Sequence, residues 1–173
     1  MNSAKLKAAI RDIPDFPKPG IIFKDITPIL ADPNLFRMAV DILTDRHKDE
    51  SIDKIAAIDA RGFIFAGAMA DRLKVGLILI RKKGKLPYKT YEETYELEYG
   101  SATLTIHQDA FEKGDRVVLV DDLLATGGTA AASAKLIEQA GGKVEEIDFL
   151  IELSDLKGRE KLVGYKVFSQ IVY

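Results

Sequence analysis

The chain contains no cysteine. That excludes disulfides, a thiolate nucleophile and cysteine-ligated zinc. Histidine is scarce: His47 and His107 lie far apart in sequence, and a solvated or packing role is expected of each. A large net charge is missing as well, since 25 Lys and Arg against 27 Asp and Glu leave a formal −2. A chain so balanced has no general attraction for nucleic acid or an anionic membrane, so neither is expected as a partner. Any anion it binds must be held by a local arrangement. No apolar run approaches the ~18 residues of a membrane span. The opening Met1-Asn2-Ser3-Ala4-Lys5-Leu6-Lys7 lacks the apolar centre of a signal peptide. A cytoplasmic protein without a structural metal is expected. There is no internal repeat, no Gly-x-x-x-x-Gly-Lys-Ser/Thr loop and no Gly-x-Gly-x-x-Gly fingerprint.

What is present suits one folded domain over residues 1–173, with 47% hydrophobic and 30% charged residues. Residues 5–11 read as a short helix stopped by Pro14. Residues 15–28 hold three prolines and Gly20, and read as a structured loop. An amphipathic helix is expected over 35–48, started by Asp32-Pro33-Asn34. Strands are expected at 55–58, 75–80, 117–120 and 144–153, with an edge strand at 165–168. Helices are expected at 62–73 and 130–140. Residues 101–107 alternate, and pair with 95–99 in a hairpin. The order implies an α/β fold, a mostly parallel twisted sheet flanked by helices on both faces. Ligands in such sheets sit at the carboxyl ends of the strands, where Asp59 and Asp121 fall.

Residues 117–129, Val-Val-Leu-Val-Asp-Asp-Leu-Leu-Ala-Thr-Gly-Gly-Thr, are the most informative segment. Four apolar residues make a buried strand; two carboxylates stand where it ends; a small-residue turn leads into an Ala-rich helix. Such a turn presents free backbone N–H groups and the positive end of a helix dipole, which together bind anions. Its glycines let the backbone approach a phosphate, and Thr126 and Thr129 add hydroxyls. Two carboxylates beside a phosphate cradle repel the anion, so they need other partners. Sugar hydroxyls and Mg²⁺, which prefers oxygen ligands, supply them. The implied ligand is a sugar phosphate with magnesium.

These residues resemble the phosphoribosyl pyrophosphate (PRPP) motif of type I phosphoribosyltransferases, in the form found in the branch that acts on adenine. Three further segments extend the resemblance over almost the whole chain. Ala56-Ala57-Ile58-Asp59-Ala60-Arg61-Gly62-Phe63 repeats the strand-then-turn logic, and Arg61 offers a charged fork for phosphate oxygens. Read alone, Arg61 also suits a surface turn. The resemblance makes it the pyrophosphate loop, with a cis Asp59–Ala60 bond. Arg81-Lys82-Lys83-Gly84-Lys85 places four cations within five residues, readable as a solvated run or as an anion site. The resemblance assigns Asp59, Ala60, Arg61, Lys82, Lys83 and Lys85 to pyrophosphate, partly across a dimer interface.

The polar, tyrosine-rich 89–99 suits a lid that excludes water, or an ordinary exposed hairpin. In the family it matches the flexible catalytic loop, within a loop-hairpin region at 81–107. Glu98 is then the carboxylate that handles the purine's proton, and Tyr99 shields the reaction centre. The proline-rich residues 15–26 carry Phe16 and Phe23 outside any periodic pattern. They either cap the core or stack on a flat base. The resemblance reads residues 1–34 as an adenine-binding hood, with Phe23 and Leu123 sandwiching the base and the backbone near Ile22 and Lys24 reading its edge. Departures are slight: Ala60 stands where some members have Ser, and Lys24 where others have Arg.

The resemblance thus implies a homodimeric, Mg²⁺-dependent transferase in which adenine and PRPP give AMP and pyrophosphate. Asp121 and Asp122 hold the ribose; they, with Ala125, Thr126, Gly127, Gly128 and Thr129, bind PRPP. Another purine base, or a non-catalytic PRPP sensor, is the alternative reading.

Overall fold

The computed structural model describes residues 2–97 and 100–173. Its frame is a seven-stranded sheet in the order β5-β6-β4-β3-β7-β8-β9. The strands are β3 (Lys54–Ile58), β4 (Gly76–Lys82), β5 (Thr90–Leu97), β6 (Gly100–His107), β7 (Arg116–Leu124), β8 (Lys143–Glu152) and β9 (Val167–Val172). Pairing from β4 through β9 is parallel, whereas β6 and β5 join the β4 edge antiparallel. A separate two-stranded ribbon, β1 (Arg11–Pro14) with β2 (Ile22–Asp25), lies near the N-terminus.

Burial follows the strand period. On β7, Val118 and Val120 join one core cluster with Leu43, Phe65 and Met69, while Val117 and Leu119 join another with Leu136, Ile137 and Phe149. The first side is covered by α1 (Asn2–Ala9), α2 (Thr27–Ala31), α3 (Pro33–Asp45) and α4 (Gly62–Leu73); the second by α5 (Gly128–Gln139). A strand buried on both faces reads as a continuous apolar run, which is why β3 and β7 stand out in the sequence. α3 begins where Asp32 accepts hydrogen bonds from the backbone of Asn34 and Leu35, with Pro33 in the first turn.

Strand order creates the site. From β3 the chain crosses through α4 to β4 on one side; from β7 it crosses through α5 to β8 on the other. Direction reverses between β3 and β7, and that point opens a crevice at their carboxyl ends. Among the described residues no helix is long and apolar enough to cross a membrane.

Several boundaries differ from expectation. The first helix ends at Ala9, and Arg11–Pro14 is a strand, because Asp15 (φ 57°) and a Phe16 N–H bond to the Ile21 carbonyl turn the chain back into a ribbon. The expected loop at 15–28 therefore contains β2 and the start of α2. β7 does not end before the carboxylates: pairing with β8 continues through Asp121–Phe149 to Leu124–Glu152. The edge strand lies later, at Val167–Val172.

His47 is neither solvated nor a mere packing residue. It is buried just beyond α3, with Nε2 2.7 Å from Asp148 Oδ2 and Nδ1 2.9 Å from Glu50 Oε2, while Arg46 pairs with Glu146. Burial pulls its pKa down, but the hydrogen bonds and charge of Asp148, Glu50 and Glu146 outweigh that and hold it above the usual value. The stabilisation is thus full below the unfolded pKa of ~6.5 and is lost as pH rises through the folded one. His47→Gln is expected to cost about 3–5 kcal/mol at pH 6, since it leaves a buried carboxylate unpaired. Urea unfolding should show that gap narrowing from pH 6.5 upward; a gap independent of pH contradicts an imidazolium tether.

Candidate active site

The main cavity, about 350 Å³, opens between the ends of β3 and β7 and is lined in part by Asp59, Ala60, Arg61, Asp121, Asp122 and Thr129. After β3 the chain turns through Asp59-Ala60-Arg61 into α4, and the Asp59–Ala60 bond is cis, as the resemblance implies. α4 can begin against β7 only because residue 62 is glycine. A Cβ there would stand 2.9 Å from the Val120 carbonyl oxygen and 3.0 Å from Asp121 Oδ1.

Asp122 is 4% exposed, and Arg61 Nε lies 2.9 Å from its Oδ2. The Asp122 backbone N–H donates to Asp121 Oδ1 at 2.9 Å. Burial, then the charge of Asp122, pushes the Asp121 pKa well above the usual carboxylate range. Asp122 is also raised by burial, with Arg61 opposing. Asp122 is thus buried against one guanidinium, while Asp121 beside it is half-buried and faces the cavity. Such a pair suits hydroxyl donors or a hard cation.

Beyond β7, residues 125–127 border a second cavity of about 80 Å³, which shares Asp121, Leu123 and Thr129 with the first. Gly127 has φ 78° at the α5 N-terminus. The loop is braced from behind by Gly158. A Cβ on Gly127 would meet the Gly158 carbonyl oxygen at 2.2 Å, and one on Gly158 would meet that of Ala125 at 2.2 Å. Backbone amides, a helix N-terminus and two threonine hydroxyls here make an anion cradle.

The remaining predicted residues separate. Lys82 lines the main cavity. Lys83 Nζ pairs with Glu92 at 2.7 Å, and Lys85 is exposed, its carbonyl accepting from Arg81. Phe23 reaches the site: the Arg61 guanidinium lies 5.0 Å from its ring centre, and Phe16 packs edge-on at 5.3 Å. Ile22 is 55% exposed. The Lys24 ammonium is 2.7 Å from Asp12 and 3.9 Å from the Tyr173 ring centre, so its side chain serves the ribbon. Leu123 borders both cavities. Glu98 and Tyr99 lie outside the described residues.

Comparison with known proteins decides the family. The phosphoribosyl transferase domain matches residues 25–171. An adenine phosphoribosyltransferase of Methylacidiphilum infernorum is 58% identical over 165 residues, covering 95% of this chain and 92% of that protein. The crystal structure of one from Thermoanaerobacter pseudethanolicus superposes with TM-score 0.96 at 53% identity, covering 99% of each chain. The Saccharomyces cerevisiae enzyme, solved with an imino-altritol bisphosphate and adenine, superposes with TM-score 0.92 at 40% identity, covering 98% of each chain. The chain belongs to the phosphoribosyltransferase family.

Three residues of this phosphoribosyltransferase site escaped sequence reading. Arg81 donates from Nε to Asp59 Oδ2 at 2.8 Å, so it fixes the loop rather than extending the lysine cluster. Tyr95 and Thr129 share a hydrogen bond between side chains 34 residues apart. Gly158 follows the turn at Lys157, and only that turn hints at it. Gly158→Ala is expected to displace the 125–128 loop and weaken inorganic phosphate binding at least tenfold, with a lower melting temperature. Unchanged phosphate affinity by calorimetry contradicts the bracing role.

Proposed function

We infer that the protein transfers the 5-phosphoribosyl group from PRPP to adenine, giving AMP and pyrophosphate, a purine-salvage reaction. The observation that carries this is the junction of two cavities at Asp121, with an anion cradle on one side and a carboxylate–arginine pair beside Phe23 on the other. Relatives at 52–58% identity carry the adenine phosphoribosyltransferase name, and the yeast structure holds adenine itself.

Residues 125–129 then take the 5′-phosphate, and Asp121 and Asp122 accept from the ribose hydroxyls. Adenine N9 bonds to C1′ as the C1′–O bond to pyrophosphate breaks, and positive charge builds on the ribose ring. Buried carboxylates beside that ring stabilise it, because they are oriented before the reaction and poorly screened. Arg61 and Lys82 face the leaving pyrophosphate; Lys85 follows in the same turn, and Lys83 would reach it by exchanging Glu92 for the anion. Phe23 and Leu123 hold the base plane, while backbone near Ile22 and Lys24 reads its edge. Adenine offers N6 donors, which a carbonyl accepts. Glu98 is proposed to handle the purine's proton and Tyr99 to shield the centre.

Asp121 and Asp122 are hard oxygen donors but too few for an all-protein cage. That fits Mg²⁺, which keeps waters and takes its other ligands from substrate phosphates. When bound, Mg²⁺ neutralises charge on the departing pyrophosphate. The same reading has the protein act in the cytoplasm as a homodimer. Exposed Leu77 and Leu79 on β4 and Ile64 on α4 offer apolar surface for a second copy.

The test is conversion of labelled adenine with PRPP, with and without Mg²⁺, beside hypoxanthine, xanthine and guanine. Adenine is expected to be preferred at least about 10²-fold, with activity abolished by EDTA. Comparable turnover of hypoxanthine overturns the base assignment. PRPP binding without turnover of any base overturns catalysis.

A further inference from the structure

Tyr95 sits on β5, at the edge of the sheet, yet it reaches the heart of the site. Its phenol oxygen lies 3.0 Å from Thr129 Oγ1 in the first turn of α5. Its ring lies against the same turn: a Cβ on Gly128 would be 3.2 Å from Tyr95 Cδ2. Two residues earlier on the same face, Glu93 receives a hydrogen bond from Lys135 of α5 at 3.1 Å. Strand alternation sends Thr94 the other way, where it bonds Thr103 across the hairpin. Thr129 lines both cavities, and Tyr95 lines the larger.

A hydroxyl has one proton and two acceptor lone pairs. Bonded to Tyr95, Thr129 has two possible states. It either donates to the phenol oxygen, leaving no proton for an anion, or accepts the phenol proton and keeps its own free. An anion in the cradle selects the second. The phenol then donates to Thr129 Oγ1, and Thr129 donates onward to a phosphate oxygen. Each donor in such a chain polarises the next, by about 10–30% per bond. The ring packed on Gly128 fixes the phenol's position, so the chain costs little ordering when the anion arrives.

We propose that Tyr95 is a positioning residue for the phosphate end of the substrate, acting through Thr129 to aim that hydroxyl's proton at the 5′-phosphate. This rests on the reading of residues 125–129 as the 5′-phosphate cradle. The adenine side of the cavity takes no part in it.

Tyr95→Phe keeps the ring and removes only the donor. Ribose 5-phosphate is the probe, because it fills the cradle without a base or turnover. Calorimetry is expected to show its affinity for Tyr95→Phe lowered about 3- to 10-fold, the range of one hydrogen bond. The melting temperature should be unchanged. In steady state the KM for PRPP rises by a similar factor while that for adenine holds. In a Thr129→Val background, Tyr95→Phe should change nothing further. Equal ribose 5-phosphate affinity in the two proteins overturns the proposal. So does the same loss with Thr129 already replaced, or a parallel rise in both KM values with a lower melting temperature, which marks a packing role. Failure of the wild type to act on adenine, with ribose 5-phosphate still bound more tightly than by Tyr95→Phe, would instead overturn only the assigned reaction.

Discussion

Two neighbouring carboxylates, Asp122 buried and Asp121 half-buried at the mouth of the cavity, stand on β7, with a single guanidinium against Asp122. That constraint organises the active site. Both groups have raised proton affinity, Asp121 from burial and the charge of Asp122, and Asp122 from burial. Arg61 offsets part of that cost from the opposite loop, at 2.9 Å from Asp122. One guanidinium against two carboxylates suits the ligand proposed above, which bears hydroxyls and is accompanied by a cation. β3 stops pairing with β7 at Ala57–Val120. Beyond that point β7 has no neighbour on its β3 side, so Asp121 and Asp122 border an opening rather than a sheet.

The topology places two helix-leading loops around this pair. One precedes α4 and carries Asp59, Ala60 and Arg61; the other precedes α5 and carries Ala125 to Gly127. Each is fixed by contacts that tolerate no extra atom. Gly62 lets α4 touch β7, and Gly127 and Gly158 meet back to back. Rigid anchoring matters because a reaction driven by position and field loses rate when its groups wander. Under the proposed reaction the two loops divide the work, one taking the phosphate that stays with the product and the other the pyrophosphate that leaves.

Local chemistry was legible and remote chemistry was not. The apolar runs of β3 and β7 gave the sheet, because strands covered on both faces are apolar throughout. Residues 125–129 could be read from composition as the turn that leads into α5, and the family pattern supplied the cis bond at Asp59–Ala60. The end of β7 was misplaced because charge normally marks the edge of a buried strand, and here it lies inside one. The N-terminal ribbon was hidden by prolines that read equally well as loop. His47 found its partner 101 residues away in Asp148, and Tyr95 found Thr129 on the helix packed against its strand. No periodicity encodes such pairs; only the closed topology brings them together.

The most direct test of the buried pair is the turnover of Asp121→Asn with Asp122→Asn, measured with adenine, PRPP and Mg²⁺ alongside thermal unfolding. Both substitutions keep shape and remove charge, and both groups are already strained toward neutrality, so the fold should hold or gain stability. A loss of kcat by about 10³-fold or more, in a protein that melts no lower than the wild type, is the predicted result; such a loss corresponds to ~4 kcal/mol of transition-state stabilisation. Near-normal turnover in a folded double variant would contradict a catalytic role for the pair.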